Sequence, residues 1–301
     1  MMKQSEMFKK AWEDRETVET RPHYIRNIIM VNADEFYDKV MNATEDVVFD
    51  LVESIYNGDA YVLKDAFDEE FIDEFKEKVF IWSKGIENKS FEMRDGCPDY
   101  HCVYDEPQGP VGGYTSLEHS YVFFRHNKNP LDVFLPLDKY WQAIKVLSGH
   151  DKGAYKDNIP SDGLIDRITF LQYPINYGKI TKHFDSPKSQ KLLLGMLMSQ
   201  IGQDYDYGKN GFYLVDNKQR KVYIENVCKK GDFVCVYPTL YHGVPTVSKG
   251  DKFLKHLDWN STEGRWYLQC YTAESHEVEG REYSTAVRDE AGHGPIANHI
   301  K

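Results

Sequence analysis

The second half of the chain is a succession of short apolar, β-branched and aromatic runs separated by turn residues, and this pattern constrains the fold before any single residue is weighed. Runs at 167–173, 179–184, 191–199, 211–216, 221–224, 232–237, 243–248 and 265–272 have strand length and strand composition, with Gly, Asn, Asp and Pro between them. Strands so spaced predict a mainly β chain, a sandwich or jelly roll. The 21 Tyr, 16 Phe and 5 Trp favour strands around a pocketed interior over a helical bundle.

The first half reads differently. Residues 1–57 predict a polar helical extension packed on the core, in which 33–56 sets Phe36, Val40, Val47, Val48, Leu51, Val52 and Ile55 at near-helical spacing, as one amphipathic helix would. Asn57-Gly58-Asp59 makes a turn, 60–64 a strand, and 68–80 a helix capped by Asp68 with Phe71, Phe75 and Val79 on one face. Residues 84–119 read as irregular, with 107–113 a loop, as a pocket wall or lid would. A strand at 121–125 and a helix at 136–147 follow. The expected organisation is an extension (1–57), a β domain (58–273) and a polar tail or flap (274–301).

The 301 residues suit one elaborated β domain with flanking helices. A net charge of −11 repels a phosphate backbone, so a small-molecule substrate is expected rather than nucleic acid. No apolar run approaches the roughly 18 residues of a membrane span, so no membrane partner is expected. Cys97, Cys102, Cys228, Cys235 and Cys270 form no C-x-x-C pair. They read as reduced core thiols, with a cytoplasmic location as the corollary.

The motif that carries chemistry is His183-Phe184-Asp185. Strand side chains alternate, so His183 and Asp185 project from one face while Phe184 packs the other. A His-x-Asp is a weak signal alone, and His256-Leu257-Asp258 is a second one. The first follows an apolar strand run and the turn Asn176-Tyr177-Gly178, and His242 stands beyond a later buried run, 232–237. The second sits among polar loop residues. Two imidazoles and one carboxylate occupy three positions of an octahedron and leave three open, the donor set that suits iron(II). Such a centre has room for a 2-oxo acid, held through two oxygens, and for dioxygen. A second, buried carboxylate on that acid would need a fixed guanidinium, and Arg265 begins the last strand run.

Together these residues, over roughly 165–273, resemble the iron(II)/2-oxoglutarate-dependent dioxygenases, whose pattern is His-x-Asp, a distal His, and an Arg on a following strand. The resemblance implies a double-stranded β-helix (jelly-roll) core. It implies iron(II) on His183, Asp185 and His242, with 2-oxoglutarate and O2 as co-substrates and Arg265 on the far carboxylate. It further implies Tyr173, beside Pro174, as a 2-oxoglutarate contact and Gly231-Asp232 as a structural turn. The activity implied is hydroxylation of a small organic molecule, of amino-acid or natural-product type, with release of succinate and CO2. Asp185 stands where halogenating relatives carry a small residue. Two departures stand out: the stretch 249–263 lengthens the link from His242 to Arg265, and Tyr267 stands where many relatives have a carboxylate-binding serine.

Each residue also has a plainer reading. His183 or His242 alone is a satisfied polar side chain, Arg265 a surface ion-pair partner, Tyr173 a core aromatic, and Lys255 a rival anion grip. A zinc hydrolase would need a general base, and no H-E-x-x-H occurs. A catalytically silent jelly-roll binding protein would keep the fold without an oxidisable metal. Arg125, His119 and Tyr114, together with the stretch 249–263, are the candidates for substrate contacts.

Overall fold

The computed structural model describes residues 2–17, 20–105, 113–250 and 258–287. The chain opens with α1 (Gln4–Glu16), β1 (Ile28–Asn32), α2 (Ala33–Met41), α3 (Glu45–Tyr56), β2 (Ala60–Lys64) and α4 (Glu69–Ser83). Next come β3 (Tyr100–Tyr104), β4 (Ser116–Phe124) and α5 (Asp138–Leu147). The β run then comprises β5 (Leu164–Tyr173), β6 (Lys179–Phe184), β7 (Leu193–Leu197), β8 (Tyr213–Val215) and β9 (Lys221–Tyr223). It closes with β10 (Phe233–Val236), β11 (His242–Val244), β12 (Arg265–Glu274) and β13 (Thr285–Ala286).

From β5 onward the chain alternates between two layers. The long layer runs β1-β2-β10-β7-β12-β5-β4 with β3 outside β4, and the short layer runs β6-β11-β8-β9 with β13 outside β6. β4 joins them: its 119–124 stretch pairs with β5, while Ser116 and Leu117 pair with β6. Every named pair is antiparallel except β1 on β2. Strands that shuttle between two facing layers make a jelly roll, the fold the sequence predicts.

The long layer is covered on both sides, which is why β4 is buried at every position. On β5 the even residues Ile168 and Phe170 face outward and are fully buried. Phe75 of α4 meets Phe170 edge-on at 5.1 Å, and Phe123 meets it at 5.6 Å. The odd residues Arg167, Thr169, Leu171 and Tyr173 line the interior cavity instead. Asp68 caps α4 by accepting from the Phe71 N–H at 2.8 Å, as expected. Burial of Ile72, Phe75 and Val79 then anchors that helix, at roughly 1.5–3 kcal/mol per side chain. Lys145 of α5 reaches Asp166 of β5, and Arg125 ion-pairs with both Asp166 and Asp138, tying helix to sheet.

Several elements differ from the sequence reading. The single helix over 33–56 is two. The first ends at Asn42, whose backbone N–H and side-chain amide both donate to the Asp38 carbonyl at 3.0 Å, and the second restarts from Thr44. The extension also contributes a strand: β1 pairs in parallel with β2, Ile28 opposite Ala60 through Asn32 opposite Lys64. Its side chains are only half-buried, so the period-2 signal is faint and the pairing edge decides. β3 lies inside the stretch read as irregular, and Pro136 sits in a short 3-10 turn ahead of α5. The loop over 107–113 lies outside the described residues except at Gly113. All five cysteines are buried free thiols. Among the described residues, no helix is long and apolar enough to cross a membrane.

The turn before β10 is held by backbone as well as side chain. Asp232, fully buried, accepts from the N–H groups of Lys229 (2.8 Å) and Asp65 (3.0 Å) and ion-pairs with Lys64. Gly231 has φ +91°, and a Cβ there would meet the Phe67 carbonyl oxygen at 2.3 Å. Gly231→Ala is therefore expected to cost roughly 2 kcal/mol or more. Urea denaturation should show a lower midpoint with an unchanged slope, and an unchanged midpoint would contradict this account of the turn.

Candidate metal centre

Strand pairing brings the three predicted ligands together. His242 of β11 stands directly opposite His183 of β6, with ring centroids 4.3 Å apart. Asp185 follows β6 and is fixed by its N–H donating to the Pro238 carbonyl at 2.9 Å. The carboxylate oxygens lie 3.9 Å from His183 Nε2 and 3.3 Å from His242 Nε2. One donor atom from each residue falls within 4.8 Å of the others, a spacing one ion can bridge. The second His-x-Asp differs: His256 and Leu257 lie outside the described residues, as does Lys255, and Asp258 is exposed.

Each imidazole is aimed by its far nitrogen. His183 Nδ1 pairs with the Thr181 carbonyl at 2.8 Å and His242 Nδ1 with the Leu240 carbonyl at 2.7 Å. A carbonyl only accepts, so each Nδ1 carries a proton, which leaves each Nε2 as the atom that would meet an ion. Burial, reinforced by the neighbouring His242, pushes the His183 pKa down to about 4, so the ring is neutral at ordinary pH. Burial works against a charged Asp185, yet a hydrogen bond from His242, reinforced by one from Ser284, holds its carboxyl below the usual range. Two imidazole nitrogens and one carboxylate, preorganised and buried, fit a divalent first-row metal such as iron(II).

Aromatic rings and one returning strand complete the walls. Tyr114 stacks on His183 at 4.6 Å, and Phe212 lies 5.5 Å from His242. β13 pairs with β6, Ala286 opposite His183, so part of the stretch read as a polar tail or flap lies against the ligand strand. Ser284, just ahead of it, donates a hydrogen bond to Asp185 Oδ1. Nothing along the chain marks Ser284 in advance, since a serine in a polar tail has no spacing to distinguish it. Ser284→Ala is expected to weaken metal binding roughly tenfold, as loss of a ligand's outer hydrogen bond does. Competition titration with a metal indicator checks this, and unaltered affinity would show the contact to be idle.

The centre opens on a cavity of about 650 Å³ between the two layers. At one end, Arg265 stands opposite Tyr173 in the β5–β12 register. It is not a bare cation or a surface residue: its guanidinium is buried and paired with Glu225, with Nε to Oε1 at 2.9 Å. Glu225 also accepts from Tyr205 and from the Phe212 N–H at 2.8 Å. What remains to Arg265 is Nη1, buried and without a partner. The guanidinium lies between the rings of Tyr173 (5.1 Å) and Tyr267 (4.8 Å). Tyr267 fits because Gly195 leaves it room; a Cβ there would lie 1.7 Å from its hydroxyl oxygen.

Glu118 is the second acid at this end, and nothing in the sequence singled it out. Ser120 donates to Oε1 at 3.0 Å, while Oε2 is buried without a hydrogen-bond partner. Burial raises its pKa above the ordinary carboxylate value, against the pull of nearby hydroxyls and the Arg265 charge. Of the other named candidates, Tyr114 lines the cavity. Arg125 is engaged with Asp138 and Asp166, and His119 faces away, hydrogen-bonded to His101 at 2.9 Å.

A carboxyl whose pKa is raised by folding favours the fold while protonated. That contribution is full below the ordinary carboxylate range and is lost as pH climbs through the raised value. Glu118→Gln should therefore gain stability over the parent at alkaline pH, by about 1 kcal/mol or roughly 2 °C in Tm, and little at pH 4. Thermal melts at both pH values read this out, and equal effects at the two would mean that Glu118 is ionised in the fold.

No family model matches the chain, and no curated protein matches it. Solved structures do. The chain is similar to a 2OG-Fe(II) oxygenase family protein from Caulobacter crescentus, at 12% identity and TM-score 0.42, covering 82% of this chain and 87% of that one. It is similar to JOX2 in complex with 2OG, Fe and JA, at 10% identity and TM-score 0.44, over 92% and 85%. A third is a prolyl hydroxylase bound to a hypoxia inducible factor peptide fragment, from Trichoplax adhaerens, at 10% identity and TM-score 0.43, over 80% and 90%.

Proposed function

We propose that the chain is an iron(II)-dependent oxygenase that consumes 2-oxoglutarate and O2 and hydroxylates a C–H bond of a small organic molecule. The observation that carries this reading is the convergence of His183, Asp185 and His242, within 4.8 Å of one another, on the wall of a cavity large enough for two small ligands. Iron(II) held there supplies dioxygen chemistry in which one oxygen atom leaves in succinate, as 2-oxoglutarate loses CO2, and the other enters the substrate.

The protein's own part is binding, charge and exclusion of water. Asp185 cancels one of the metal's two charges, so an anionic co-substrate is still drawn in, and the Nδ1 hydrogen bonds keep the imidazoles from turning. The far carboxylate of 2-oxoglutarate would meet the unpartnered Nη1 of Arg265, with the Tyr173 hydroxyl as a further donor and Glu118 as another when its carboxyl is protonated. Because Glu225 already neutralises the guanidinium, this end accepts the anion through directed hydrogen bonds more than through net charge. Asp185 fills the position a halide would need, which favours hydroxylation over halogenation.

The test is spectroscopic. Iron(II) and 2-oxoglutarate added without oxygen should give a weak visible charge-transfer band in the parent chain and none in His183→Ala. A folded parent that gives no band would favour a silent binding module. A folded parent that binds zinc tightly but gives no band would favour a hydrolytic metal site.

A further inference from the structure

The end of the cavity away from Arg265 holds two more arginines that the oxygenase reading does not use. Arg167 points inward from β5, directly opposite Tyr271 of β12, and Arg281 reaches in from the segment after β12. Among the described residues neither is in an ion pair. Arg167 Nε is buried with no partner, and its one polar contact is a long approach of Nη1 to the Met93 sulfur at 3.9 Å. The nearby acids are engaged elsewhere: Glu92 with Arg94, Glu274 with Lys188, and Glu282 with the Ser186 hydroxyl.

His276 sharpens the mismatch. Its Nδ1 accepts from the Met93 N–H at 2.8 Å, so in the neutral ring the proton sits on Nε2. Nε2 lies 2.6 Å from Arg281 Nη1, and two donors face each other. Burial and the Arg281 charge hold His276 below its ordinary pKa, which keeps the ring neutral. Burial and the Arg167 charge likewise lower Arg281. Arg281 also lies 4.7 Å over the Tyr283 ring and feels the more distant Glu274 charge, but two half-buried guanidinium groups and an N–H donor gathered without a carboxylate in contact are unfavourable unless something anionic joins them.

We infer that Arg167 and Arg281, with the His276 Nε2–H, bind a carboxylate of the substrate, so that the proposed hydroxylation acts on an anionic small molecule; this rests on the oxygenase reading above. Position supports a substrate rather than a co-substrate role. Tyr271 links the arginines to the metal ligands, since its hydroxyl donates to the Ser186 carbonyl at 3.1 Å, one residue from Asp185. Arg167 lies six residues along β5 from Tyr173, roughly 20 Å of strand, so the Arg265 end and this end serve different anions. Phe91 and Tyr100, with ring centroids 5.7 Å apart, line this end and favour an apolar or aromatic body behind the charge.

The experiment uses the full chain and calorimetric titration. Phenylacetate, 3-phenylpropionate and 4-phenylbutyrate are each compared with their primary amides, with and without iron(II) under nitrogen. At least one acid should bind about tenfold more tightly than its amide. That preference should vanish in Arg167→Gln and Arg281→Gln, return in part in Arg281→Lys, and persist in His183→Ala. Affinity for 2-oxoglutarate with iron should be unchanged in the two glutamine variants. The inference is overturned if no acid outbinds its amide, if the preference survives both glutamine variants, or if it disappears in His183→Ala, which would put the anion on the metal. Equal loss of 2-oxoglutarate binding in the glutamine variants would also overturn it, because the arginines would then hold the co-substrate. An acid preference intact in a chain without a charge-transfer band would sink the oxygenase reading and leave the anion site standing.

Discussion

The register between β6 and β11 is the constraint on which the site depends. It sets His242 opposite His183, and because strand side chains alternate, a slip of one residue would turn a ligand out of the cavity. The opposite face is already claimed: Phe184 packs toward His23 (5.7 Å) and Tyr241 (6.0 Å). The pairing is irregular between His242 and Val244, where Gly243 allows a close approach. A Cβ there would meet the Ile180 carbonyl oxygen and the Tyr213 hydroxyl, each at 2.8 Å. A local bulge is a common way to re-aim a side chain beside a reactive centre.

The buried charges follow a common rule of compensation. Glu225 takes the charge of Arg265, its remaining contacts come from Tyr205 and the Phe212 N–H, and Gly211 makes room for it, since a Cβ there would lie 2.2 Å from Oε2. A buried cation needs a partner whether or not a ligand is present, and a permanent one fixes the guanidinium plane. Lys145, Asp166 and Arg125 solve the same problem on the outer side of the sheet. Arg167 and Arg281 are where that compensation is missing inside the cavity.

What the sequence revealed was what strand periodicity and donor chemistry carry. β6 matches the predicted run at both ends, and the three candidate ligands stand together on or beside the strands that the alternation implied. Arg265 was legible as the inward arginine of the last long strand, but its partner was not. Glu225 lies in a short 3-10 turn far along the chain, and only tertiary packing brings it to the guanidinium. Glu118 was hidden because it fell in the stretch read as irregular, and only the pairing of β4 with β5 and β6 makes it a buried strand residue. Ser284 was invisible because its role depends on a two-residue strand, too short to show a period. β1 was lost inside a helical stretch because edge pairing outweighed its weak pattern.

The two layers divide the work because of their lengths. β5 and β12 each run ten residues side by side in one register, and packing behind the long layer makes them a rigid floor. Their odd positions carry Arg167, Thr169, Leu171 and Tyr173 on one strand, and Arg265, Tyr267, Gln269 and Tyr271 on the other, all along the cavity. The short layer carries the three candidate metal donors on or just beyond strands of six residues and three. A donor set needs atoms fixed at one point, which a short bulged pair provides. Recognition needs groups spread along a ligand, which a long unbroken register provides. A change at an odd position of β5 or β12 therefore alters the lining of the cavity without moving a candidate donor nitrogen. On the oxygenase reading, this is how the same three donors can serve different substrates.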